Sequence, residues 1–165
     1  MKSLGLIHHL GLGDFIDCNG LVRYILKHSE YKKIYLISKR NYFKMVDYMY
    51  KDEPLIEILP IENPDPPSAS EELHSASKIL EGKIDDMLII GFANFDWNAV
   101  KEKNKNCWQV FYDQMQVPYD VRKNYYKMER DEKEELRVLN KLNPSGEPFA
   151  FVHDDKERGF ELNTE

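Results

Sequence analysis

The chain has 165 residues, enough for one domain with a proper core, and a formal net charge of -6 with Lys and Arg spread among acids, a balance that excludes a basic nucleic-acid-binding stripe. Two isolated cysteines, Cys18 and Cys107, exclude a disulfide framework and a zinc spacing, and Cys18 reads as a small core residue. No stretch reaches the length of a membrane span, and the start lacks the basic region and long apolar run of a signal peptide, so a cytoplasmic location is expected.

Residues 3–7 read as a buried strand. Over residues 15–27 the apolar side chains return at helical spacing, with Phe15, Cys18, Val22, Ile25 and Leu26 on one side. The turn between them, His8-His9-Leu10-Gly11-Leu12-Gly13-Asp14, holds two glycines and an acid. In a parallel α/β sheet such a turn marks the carboxyl end of a strand, where backbone can approach a ligand and a helix N-terminus points at it. The dinucleotide fingerprint needs a third glycine where Ile16 stands. Asp14 and Asp17 would repel a pyrophosphate there, and Ser38-Lys39-Arg40 offers no acid for a ribose hydroxyl. A nicotinamide cofactor is therefore not expected. Asp14 reads either as a helix N-cap or as a general base for a hydroxyl nucleophile, and one residue can do both.

Residues 33–38, centred on Ile34-Tyr35-Leu36-Ile37, give a second strand. Residues 41–50 follow as a helix with Phe43, Val46 and Tyr50 inward, and residues 55–60 as a third strand ended by proline. This alternation with short connections predicts a parallel sheet with right-handed crossovers. Glu62-Asn63-Pro64-Asp65-Pro66-Pro67-Ser68 is a loop, and residues 70–80 form a polar helix. Residues 86–91 are the most apolar strand, expected to lie centrally. Beyond them stands Phe92-Ala93-Asn94-Phe95-Asp96-Trp97. Aromatic faces there can stack on sugar rings while Asn and Asp bond hydroxyls. Phe92 and Phe95 read better as anchors of the loop, and Trp97, between Asp96 and Asn98, as the binding residue.

Residues 107–116 form a helix packed through Trp108, Phe111, Tyr112 and Met115. Residues 131–142 form a charged helix with Leu136, Leu139 and Leu142 inward and surface Glu–Lys pairing. After the turn Asn143-Pro144-Ser145-Gly146, residues 149–153 give a last strand. His8 and His9 are adjacent and no HExxH pattern occurs, so no metal site is expected. The expected fold is α/β: a Rossmann-like parallel sheet of about five strands with helices on both faces.

Three segments carry a family resemblance. The opening strand with Gly11-Leu12-Gly13-Asp14 resembles the N-terminal domain of GT-B glycosyltransferases, particularly the heptosyltransferase-like enzymes of glycosyltransferase family 9. The stretch Phe111-Tyr112-Asp113-Gln114-Met115-Gln116-Val117-Pro118-Tyr119, with Arg122, is similar to a helix-and-turn element late in that domain. Phe151-Val152-His153-Asp154-Asp155 through Arg158-Gly159-Phe160 looks like the strand that opens the C-terminal, donor-binding domain. The resemblance implies two regions: residues 1–145 as the Rossmann-like acceptor-side domain, and residues 146–165 as the start of a donor domain that the chain does not complete.

It further implies transfer of a hexosyl or heptosyl group from a nucleotide-sugar co-substrate to an acceptor hydroxyl, with no metal and no other cofactor. Asp14 is then the candidate base. Gly11 and Gly13 let backbone approach phosphates, and His9 and Trp97 join them as substrate-binding residues. His153 and Arg158 would stabilise the departing diphosphate, against plainer readings as a strand-end histidine and a surface charge. Asp154-Asp155 lacks the Asp-x-Asp spacing of metal-dependent glycosyltransferases. Without a second domain, or a partner that completes the cleft, the chain alone is expected not to turn over. The rival reading is a non-catalytic Rossmann-like or flavodoxin-like module whose glycine turn receives a phosphorylated ligand or a protein partner.

Overall fold

A computed structural model describes residues 2–8, 10–64, 68–92, 95–102 (the Glu102 side chain apart) and 105–150. The chain divides into two compact units, Met1–Glu129 and Arg130–Glu165. The first is a Rossmann-like α/β unit. Its strands are β1 (Ser3–Ile7), β2 (Lys33–Lys39), β3 (Ile56–Ile61) and β4 (Asp86–Ile89), and its helices are α1 (Leu12–His28), α2 (Phe43–Met49), α3 (Ala69–Leu80), α4 (Trp97–Glu102), α5 (Cys107–Gln114) and α6 (Val121–Asn124).

The strands form one parallel sheet in the order β3-β2-β1-β4. Leu6 lies opposite Leu36 on one side and Leu88 on the other, and Leu36 continues to Ile58. Strands flanked on both sides and covered on both faces need apolar residues throughout, which Leu4, Leu6, Ile7, Ile34, Leu36 and Ile37 supply.

Among the described residues the sheet has four strands, against the expected five. Phe149 and Ala150, which open the expected last strand, are exposed and irregular, and 151–153 lie outside the described residues. Phe149 and Ala150 have no strand beside them among the described residues to take up their backbone hydrogen bonds. A second difference concerns β4, which stands at an edge among the described residues, with Met87 44% exposed. Apolar content reports what covers a strand's faces, not which strands flank it.

Helices lie on both faces, as expected. A Cβ on Gly5 would meet Leu80, at the end of α3, and Ile84 at 2.8 Å. Side chains alternate along a strand, so Leu4 and Leu6 point the other way; Leu4 borders a cavity with Tyr24 and Ile25 of α1 and with Met115 just past α5. α1 and α5 therefore share the face opposite α3. α2 lies beside α1, where Arg23 donates to the Met49 carbonyl at 3.1 Å. α1 buries Phe15, Cys18, Val22 and Ile25, as its spacing predicts, and also Asp17, Asn19, Gly20 and Leu21, because α5 and α6 cover its outer side. Cys18 is a core residue, as read from the sequence.

In the second unit, α7 (Glu132–Leu142) is capped by Asp131 and carries the Arg137–Glu134 pair. Leu136, Leu139 and Leu142, expected inward, are 57%, 43% and 63% exposed. Helical spacing gives α7 an apolar stripe, but a stripe is buried only where another element covers it.

Candidate functional site

The strand order reverses between β1 and β4, and in open α/β sheets ligands bind at the carboxyl ends of the strands where that happens. The two ends are held level, since the Ile90 N–H donates to the Ile7 carbonyl at 2.8 Å. The glycine turn leaves β1 here, and the aromatic loop leaves β4.

On the β1 side, His8 is buried and meets the Phe15 ring edge-on at 4.4 Å. Gly11 is the N-cap of α1 in extended conformation, and Phe15 N donates to its carbonyl at 3.2 Å. Asp14 is thus not the cap. It is the third residue of the helix, half-buried, and its carboxylate folds back over Gly11. A Cβ at Gly11 would stand 2.7 Å from Asp14 Oδ2, so any other residue there would displace the carboxylate. A negative charge at this position is favoured by the partial positive charge of the first helical turn. Gly13 is exposed, and a Cβ there would meet nothing within 4 Å.

The second acid of the helix has a different task. Asp17 is buried, and Arg122 holds its Oδ1 through Nε at 2.5 Å and through Nη2. Tyr112 donates its hydroxyl to the Asp17 carbonyl at 2.8 Å. Burial, and then the charges of Asp14 and Asp17, push the neighbouring Cys18 thiol well up. The segment that carried the second part of the resemblance therefore packs against the back of α1 through Tyr112 and Arg122.

On the β4 side, Gly91 and Phe92 both have positive φ, 80° and 53°. The left-handed region is unfavourable for a bulky aromatic residue. Gln114 of α5 pins the turn by accepting the Gly91 N–H at 2.8 Å. Phe95 is buried and lies 5.6 Å from Phe111, so it anchors the loop as read from the sequence. Asp96 Oδ1 accepts the N–H groups of Asn98 and Ala99, both at 3.0 Å, and so caps α4 rather than facing a ligand. Trp97 is 57% exposed, with one edge on Phe95 at 4.6 Å. Its free surface suits it to stacking.

The expected site residues therefore sort clearly. Gly11, Gly13 and Asp14 form one turn at the end of β1, and Trp97 stands on the connection that leaves β4. His9, Asn94, His153 and Arg158 lie outside the described residues. Sequence reading missed Gln114, whose position at the end of a helix carries no local signal. It also missed the pairing of Asp17 with Arg122, which depends on tertiary structure. Among the described residues no group of three or more His, Cys, Asp or Glu is placed to hold a metal ion, and no helix is long and apolar enough to cross a membrane. No family model, characterised protein or solved structure matches the chain.

Proposed function

We propose that the first unit is the acceptor-side domain of a GT-B-like glycosyltransferase, with Asp14 as the base that takes the acceptor proton. The observation that carries this reading is the half-buried Asp14 carboxylate, folded over Gly11 at the carboxyl end of β1. Gly11 is the N-cap, and Asp14 is the third residue of the helix. An acceptor hydroxyl brought to that carboxylate would lose its proton as its oxygen attacks the anomeric carbon of a nucleotide-sugar. Trp97 supplies an exposed ring for stacking on a sugar, and the donor's nucleotide would be held by a second domain or a partner.

The test uses the protein as isolated from its own source, with whatever accompanies it, assayed for transfer from nucleotide-sugars. Asp14→Asn should abolish transfer while leaving ligand-induced thermal stabilisation in place. Transfer that survives in the Asn variant would remove Asp14 as the base.

The open space over Gly13 favours a second reading. A non-catalytic module could seat a phosphate on the first turn of α1. Stabilisation by phosphorylated ligands, with no transfer by any preparation, would select it.

A further inference from the structure

Two hollows open on either side of Tyr126, where α6 lies on α1. One, of about 490 Å³, is lined by Leu26 and Leu55 together with Lys27 and Lys127. The other, of about 390 Å³, runs between Ile16, Arg122 and Lys123. Both are in the size range of small-molecule sites. Tyr126 borders both and is 40% exposed.

The ridge between them is fixed in place. The Lys127 N–H donates to Asn19 Oδ1 at 3.0 Å, and Lys127 Nζ pairs with buried Asp52 at 2.8 Å. Arg122 is steered by Asp17 yet keeps 35% of its side chain exposed. Lys123 is exposed and has no ion pair among the described residues. Glu53 is the acid in the lining of the larger hollow, and the smaller one is lined by Arg122 and Lys123 without an acid among the described residues.

We propose that the smaller hollow binds a nucleotide, its base stacked on Tyr126 and its phosphates held by Arg122 and Lys123. An aromatic face accepts any base, and a guanidinium beside an ammonium suits a phosphate group. The concave shape admits a compact ligand and would keep a flat membrane at its rim. A net charge of -6 opposes a long polyanion at a distance, whereas a ligand with few charges can be held by local cations. The inference is independent of the glycosyl-transfer reading, because no residue of the glycine turn takes part.

Equilibrium binding of ADP to the whole chain at low salt tests it, with adenosine and tripolyphosphate as controls. ADP should bind saturably, and more tightly than either control. Lys123→Glu should weaken it about tenfold and Tyr126→Ala roughly tenfold. Both groove residues are exposed, so the variants should keep the parent's circular dichroism. Three results would overturn the proposal: no ADP binding at millimolar concentration, binding that survives Lys123→Glu, or tripolyphosphate binding as tightly as ADP. Capture by phosphatidylserine vesicles in place of ADP binding would assign the patch to a membrane surface instead.

Discussion

A Cβ atom on Gly20 would stand 2.6 Å from the carbonyl oxygen of Val121 and 2.9 Å from that of Arg122. α1 and α6 therefore meet backbone against backbone, and the missing side chain is what lets them. Gly20→Ala should gain about 1 kcal/mol of helix propensity and lose roughly 1–3 kcal/mol to overpacking. Carbonyl oxygens cannot rotate away as a side chain could, which places the loss at the upper end. A urea melt should show a lower midpoint than the parent; an unchanged or raised midpoint would mean that α6 is not seated on Gly20.

Gly13→Ala should have the opposite sign. The position is helical, exposed and free of neighbours, so alanine should stabilise the fold by up to about 1 kcal/mol. Ligand binding at the turn should weaken if backbone approach there matters. A variant both more stable and fully competent would show that Gly13 has no part in the site.

Asp52 should contribute to the acid limb of stability. Burial opposes its ionisation, but hydrogen bonds from Arg23 and Lys127 outweigh that and hold its carboxyl down from the ordinary 3.8 to about 2. Because the folded value is the lower one, this contribution is present above pH 4 and is lost as pH falls through 4 towards 2. Asp52→Asn leaves Arg23, whose side chain is 9% exposed, buried without its counter-charge. The loss should be roughly 3–5 kcal/mol, and stability should then vary less between pH 4 and pH 2 than in the parent.

The two thiols should separate cleanly. Cys18 is buried and its thiol is pushed well up, while Cys107 is half-buried. A thiol reagent at pH 8 should modify Cys107 in the native chain and Cys18 only after denaturation. Rapid modification of both without denaturant would place Cys18 outside the core.

The four strands of the sheet were legible because each is a short apolar run closed by Gly, Pro or charged residues, and all four fall within two residues of their expected ends. α1 was legible from Phe15, Cys18 and Val22. α6 was not: four residues with only Val121 buried carry no period. Position in the sheet was also hidden, since Met87-Leu88-Ile89 is equally apolar at an edge or a centre. Leu136, Leu139 and Leu142 show a stripe without showing a cover. At the site, the glycines and Asp14 stood out by type. That Gly11 makes room for the Asp14 carboxylate, and that Asp17 is matched by a residue 105 positions away, are facts of three-dimensional packing.

The partners of the outer side of α1 arrive late in synthesis. Asp17 waits 105 residues for Arg122, and Asn19 waits 108 for Lys127. At usual elongation rates that is about 5–20 s. During that interval the nascent helix can lay Phe15, Cys18 and Val22 on the first strands while its other flank stays in water. A flank of leucines would leave an unfinished chain adhesive on the ribosome. Beside Leu21, the Asp17 carboxylate and the Asn19 amide keep it hydrated until its partners emerge.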